Sequence, residues 1–228
     1  MAGLPVVLPI PQETATASYS FIDFASGTGI VTFYLGSTVD LRRLSNSVFY
    51  SDYINEISSD TTSTSFVKVL DVDYDVEFNR PTTIKGKTVC NIPSGRYYEN
   101  NSGDNVHYIV VKIRKWDGTT ETDLAENTGS EHNPNGYAGT GYHMNSLDLD
   151  IPLTVFKKGE TLRVTVEGWA KAASSKRVEM CIGADPQNRV KTSGQYLQKW
   201  TTPSPDEDIT WDSLPTIASI QIPMRIDI

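Results

Sequence analysis

YHMNSLDLDIPLTVFKKGETLRVTVEGW, residues 142–169, reads as two strands joined by a tight turn. Leu147, Leu149 and Ile151 alternate with Ser146, Asp148 and Asp150; after the turn, Leu162, Val164 and Val166 alternate with Arg163, Thr165 and Glu167. A period of two on both arms puts one apolar row against a core and one polar row in water. Gly159, within Lys157-Lys158-Gly159-Glu160, supplies the positive φ that a short turn often requires. The expectation is an antiparallel hairpin with one wet face.

The same pattern recurs along the chain. Phe66, Leu70, Val72, Tyr74, Val76 and Phe78 are expected on one face, with Asp71, Asp73, Asp75 and Glu77 opposite. Val106 to Trp116 is the most hydrophobic strand, with Ile109, Val111 and Ile113 inward, and Asp117-Gly118 is a strong turn signal after it. Gly86 marks a bulge within Thr82 to Ile92. Pro93-Ser94-Gly95 reads as a turn, and so does Ser26-Gly27-Thr28-Gly29 between two strands over 19–35. Leu41 to Ile57 is compatible with a strand near Val48–Tyr53 or with one helical turn. Val178, Met180 and Ile182 form a further strand, and Ile220, Ile222, Met224, Ile226 and Ile228 alternate to the last residue. About ten strands and no helix long enough for a βαβ unit predict an all-β, antiparallel two-sheet β-sandwich with jelly-roll-like connections. An extended N-terminal arm spans residues 1–18, and a single domain spans 19–228 with long loops at 127–141 and 187–214.

A chain of 228 residues suffices for one large β domain. The formal charge of −8 disfavours a nucleic-acid partner. The longest apolar run is far below the ~20 residues that span a bilayer, and the N-terminus lacks the basic start of a signal peptide. Cys90 falls on an inward row and Cys181 on the parity of Glu179, which gives no support for a bridge. Pro5, Pro9 and Pro11 forbid a helix in the arm. Its apolar members Leu4, Val6, Val7, Leu8 and Ile10 call for a surface to pack on, in the same domain or in a neighbouring subunit.

Catalytic signatures are lacking: there is no G-x-S-x-G, and no carboxylate pair stands out by its environment. Asp71, Asp73 and Asp75 resemble the opening of a calcium loop, but the glycine and glutamate such a loop needs are replaced by Val76 and Thr82. A solvated acidic face is preferred, with pairing to a basic row such as Lys112 and Arg114 as the other reading. His107 shares the parity of Ile109 and is expected to be half-buried. His132 and His143 flank the glycine loop without predicting a metal site. No metal and no cofactor are expected. The aromatic residues are the better candidates. Trp169 belongs by parity to the outward row, unless a bulge at Gly168 turns it inward. Trp116 ends its strand, and Tyr137 and Tyr142 belong to the glycine loop. Such rings contact protein partners or stack on sugars.

Phe156 to Glu167, FKKGETLRVTVE, resembles the turn and strand of jelly-roll structural proteins of tailed-phage and other virus particles, and the arm and closing strand share that style. The resemblance implies a non-enzymatic capsid, decoration or head- or tail-associated subunit, located in the virion. Its partners would be copies of itself and other virion proteins, without nucleic acid or membrane. Contacts would run through Leu4, Val6, Val7, Leu8, Ile10, Tyr137, Tyr142 and Trp169. The alternative is a carbohydrate-binding β-sandwich with glycans as partners.

Overall fold

The computed structural model describes residues 28–38, 41–52, 55–57, 61–98, 105–133, 139–172, 178–189 and 216–225. The arm, Tyr137 and most of the 187–214 excursion lie outside them. The described residues form strands β1 (Thr28–Ser37), β2 (Arg42–Ser45), β3 (Asn55–Ile57), β4 (Val67–Glu77), β5 (Thr82–Tyr98) and β6 (Val106–Trp116). The series continues with β7 (Glu121–Thr128), β8 (Gly139–Phe156), β9 (Thr161–Lys171), β10 (Val178–Gly183) and β11 (Ser219–Arg225). The fold is all-β and sandwich-like, as the alternation predicts.

Neighbouring strands run in the order β3-β10-β5-β11-β1-β2-β4-β9-β6-β7, with β8 on the second edge of β5. The path folds over at β2, whose contact with β4 is a single parallel pairing of Arg43 with Asp75, while the other pairings are antiparallel. One layer is therefore β4-β9-β6-β7; β5, with β8, β10 and β11 along its edges, anchors the other. Between them lie Leu162, Val164 and Val166 of β9, Ile109, Val111 and Ile113 of β6, Ile84, Cys90 and Ile92 of β5, and Ile220 and Ile222 of β11. Gly168 explains itself here. A Cβ on it would stand 3.0 Å from Leu70 Cβ and 3.2 Å from Met180 Sδ, so any larger residue would push these neighbours aside by a few tenths of an ångström.

The hairpin expectation is corrected. Both strands exist and both bury the predicted rows, but β8 pairs with β5 and β9 lies between β4 and β6. The turn at 157–160 carries the chain from one layer to the other. It is anchored on Phe78, whose N–H donates to the Glu160 carbonyl (3.0 Å) and whose carbonyl accepts from the Gly159 N–H (2.8 Å). Gly159 has the positive φ expected of it, at 88°. The reason for the error is physical: alternation says which face of a strand is buried, and strands that face one another across a core alternate just as paired strands do.

Other readings are also revised. Pro93-Ser94-Gly95 is strand, paired with Met144, His143 and Tyr142. Along β5, pairing with β11 reaches Asn91 and pairing with β10 starts at Ser94, so Pro93 falls in the gap between these partners, where a residue without an N–H is tolerated. A bulge between Lys68 and Leu70 reverses parity, so Phe66 does not share the inward face of Leu70. Among the described residues of 41–57 the regular pieces are β2 and β3, and 48–52 form neither a strand nor a helical turn, while Tyr53 lies outside the described residues. The glycine loop is shorter than 127–141, because Asn127 and Thr128 belong to β7 and Gly139 opens β8. The Gly86 bulge (φ 118°) and the Asp117-Gly118 turn (Gly118 φ 99°) are as expected. Cys90 and Cys181 are both buried, and no disulfide joins them.

Candidate functional site

Trp169 keeps the outward parity of β9, because the bulge sits on the facing strand β4 and not at Gly168. Its direct neighbour on β6 is Tyr108. The two rings are parallel within 3° at 6.2 Å between centroids, and Phe66 meets Tyr108 edge-on at 4.9 Å. Lys171 Nζ lies 4.6 Å from the Phe66 ring centre. These three half-buried rings make an aromatic shelf on the outer face of the β4-β9-β6-β7 layer.

Beside the shelf, Trp169 Nε1 donates to Glu167 Oε2 at 3.0 Å. Glu167 Oε1 also receives Lys112 at 2.9 Å and Lys68 at 3.4 Å. Burial by itself would raise the Glu167 carboxyl, but these hydrogen bonds and the charges of Lys112 and Lys68 outweigh it and hold the group below the usual carboxylate range. Burial, with the nearby Glu131 and Glu167 carboxylates, raises the Tyr108 phenol.

Further along the same face, Arg163 binds both oxygens of Asp75 at 2.8 Å and reaches Glu121 at 2.9 Å, and Thr165 donates to Asp73 at 2.5 Å. The acidic row of β4 is therefore neither simply solvated nor matched by Lys112 and Arg114, from which β9 separates it. Those two residues pair with carboxylates of β9 and β7 instead.

The three histidines, which the sequence scatters, converge at the same end of the sandwich. His132 exchanges backbone hydrogen bonds with His107 (2.8 and 3.3 Å), and their rings meet edge-on at 5.3 Å. His143, opposite Ser94 in the β5–β8 ladder, stacks on His132 at 4.7 Å. Ser94 Oγ lies 3.5 Å from His107 Nε2 and accepts from Asn145 Nδ2 at 2.9 Å. The signal for this was parity, since His143 and Asn145 share the inward row of Leu147, as His107 shares that of Ile109. A hydroxyl beside an imidazole has the ingredients of a nucleophile and base. Here Ser94 and His107 are buried, at 0% and 1% exposed, which argues against a catalytic role for the pair. No group of three His, Cys, Asp or Glu side chains among the described residues is placed to hold a metal ion.

Sequence reasoning missed a second polar cluster altogether. Glu56, on the short β3, accepts Arg42 through both oxygens (2.9 and 2.8 Å) and the Ser37 hydroxyl at 2.6 Å. Nothing in a three-residue strand announces such a knot. Of the proposed contact residues, Trp169 belongs to the shelf and the Tyr142 backbone pairs with Gly95, while Leu4, Val6, Val7, Leu8, Ile10 and Tyr137 lie outside the described residues.

No protein-family model matches the chain, and no curated protein sequence does. Solved structures do match its architecture. An aminopeptidase from a marine sediment archaeon, Thaumarchaeota archaeon, aligns over 86% of this chain and 37% of its own, with TM-score 0.52 and 9% identity. An α-amino acid ester hydrolase aligns over 86% of this chain and 36% of its own, with TM-score 0.51 and 9% identity. A CocE/NonD family hydrolase from Staphylococcus aureus aligns at TM-score 0.47 and 13% identity, too low to add to the argument. The chain thus spans little more than a third of these enzymes, and the likeness is one of fold. The viral likeness has a counterpart in the infectious bursal disease virus particle, at TM-score 0.25 and 9% identity, which carries no argument. The expectation of a non-enzymatic virion subunit, with its carbohydrate-binding alternative, is overturned: the stronger architectural counterparts are parts of hydrolytic enzymes.

Proposed function

We propose that this chain serves as the β-sandwich part of a hydrolytic enzyme acting on α-amino acid derivatives, esters or N-terminal peptide bonds. The observation that carries the reading is the shared architecture over 86% of the chain with an aminopeptidase and an α-amino acid ester hydrolase. In this reading the sealed Ser94–His107 pair is structural. The reactive groups come from the rest of the enzyme, since the chain corresponds to only 36–37% of those proteins. The Phe66–Tyr108–Trp169 shelf is the surface that meets that remainder, because half-exposed Trp and Tyr are the residues that dominate contact energies.

The test is turnover. The protein isolated from its source, with whatever polypeptide it is joined or bound to, is assayed on α-amino acid p-nitrophenyl esters and aminoacyl arylamides. Depleting the preparation with an antibody to this chain is expected to remove the activity. A native preparation that hydrolyses neither class, or whose activity survives complete depletion, overturns the reading.

A further inference from the structure

At the end of the sandwich opposite the histidines, the inward rows run on past the layer that should cover them. Val31 of β1, Val76 of β4, Phe78 just beyond it and Met224 of β11 are only half-buried, above the buried Phe33 and Leu44. Together they line a cleft of about 590 Å³, within the ~300–1,000 Å³ usual for small-molecule sites. Arg80, Arg225 and Glu77 are exposed residues that also line it. The side chains of all three lack an ion-pair partner among the described residues, whereas Arg42, Arg114 and Arg163 are each bound to carboxylates.

We propose that this cleft binds an amphipathic carboxylate, a carbon skeleton of medium length ending in one anionic group. The inference is independent of the hydrolase reading. Half-exposed apolar walls favour an apolar occupant in proportion to the area it covers, roughly 25 cal/mol per Å². The unpaired guanidinium groups favour a carboxylate head, with which they form charge-assisted and geometrically matched hydrogen bonds. Two positive charges against one negative leave the rim suited to a monoanion, and Glu77 disfavours a dianionic phosphate.

The probe is decanoate, titrated calorimetrically below its micelle concentration, with decan-1-ol as the neutral partner of equal length. Full-length protein is expected to bind one decanoate saturably and decan-1-ol at least tenfold more weakly. Arg80→Gln combined with Arg225→Gln should bring decanoate down to the affinity of the alcohol while leaving the alcohol unchanged. Val31→Trp, which fills the throat, should abolish both. Absence of saturable binding, or equal decanoate affinity in the arginine variant, overturns the proposal. Binding that appears only after removal of residues 1–18 also overturns it, by making the arm the natural occupant. If Val31→Trp does not fold, the double arginine variant, both positions being exposed, decides the question by itself.

Discussion

Strands β4 and β9 run side by side from one end of the sandwich to the other, and their two ends are finished in opposite ways. At the Val67–Ala170 end, Gly168 lets the layers touch, the histidine rings and Asn145 plug the gap, and Glu167 gathers Lys112, Lys68 and Trp169 on the outside. At the Glu77–Thr161 end, apolar side chains stop short of full burial, and Glu77, Arg80 and Arg225 have no ion-pair partner among the described residues. The closed end is committed to holding the layers together. The other end keeps half-exposed apolar side chains around a cleft, which is where the proposed ligand would bind.

Breaking the frame that holds both ends should have the largest effect. Deleting residues 220–228 removes most of β11, which lies between β1 and β5 and supplies Ile220 and Ile222 to the core. Soluble folded protein is expected to disappear, as judged by far-UV circular dichroism of purified material. A stable truncated chain would show that the two ends do not depend on a common sheet.

Added bulk should be costly at the closed end and cheap at the open one. Gly168→Val forces side-chain atoms against Leu70 and Met180 and is expected to cost about 3 kcal/mol in urea unfolding, in the upper range for overpacking. Val31→Phe, at the cleft, should cost less than about 1 kcal/mol. Equal losses would erase the contrast.

Glu167→Gln keeps the size and removes the charge that three donors share; a loss of about 1–2 kcal/mol at pH 7 is expected. Because the folded carboxyl is held below its ordinary value of 4.5, its contribution is complete above that value and fades as pH falls through the folded pKa. A urea series from pH 7 to pH 3 should therefore show the variant and the parent converging in acid. A gap that stays constant would assign the effect to packing. Trp169→Ala should cost about 1 kcal/mol, since the ring is only half-buried. Arg80→Gln, on an exposed side chain with no ion-pair partner among the described residues, should change stability by less than about 0.5 kcal/mol.

Much of the site was readable and part of it was not, for definite reasons. Strand period places Trp169 on the outward row but leaves open whether a bulge at Gly168 turns it inward, which the bulge on β4 decides; it places His107 on the inward row, where the residue is fully buried rather than half-buried. The bulge that brings Phe66 beside Tyr108 sits between Lys68 and Leu70, with no glycine or proline to announce it. Arg163 as the partner of Asp73 and Asp75 depends on β9 lying between β4 and β6, a neighbour relation that no local pattern encodes. The same holds for the histidines, which are brought together from β6, β8 and the segment after β7.

The residues by themselves determined the all-β class, the inward rows of most strands and the turns at Gly118 and Gly159, because side-chain period and backbone φ are local properties. Tertiary structure alone decided that β8 and β9, joined by four residues, part company into different layers. It also decided that a core can be sealed at one end and left open at the other. Those outcomes depend on pairings between segments far apart in the chain, where burial of both faces of the sandwich must be satisfied at once.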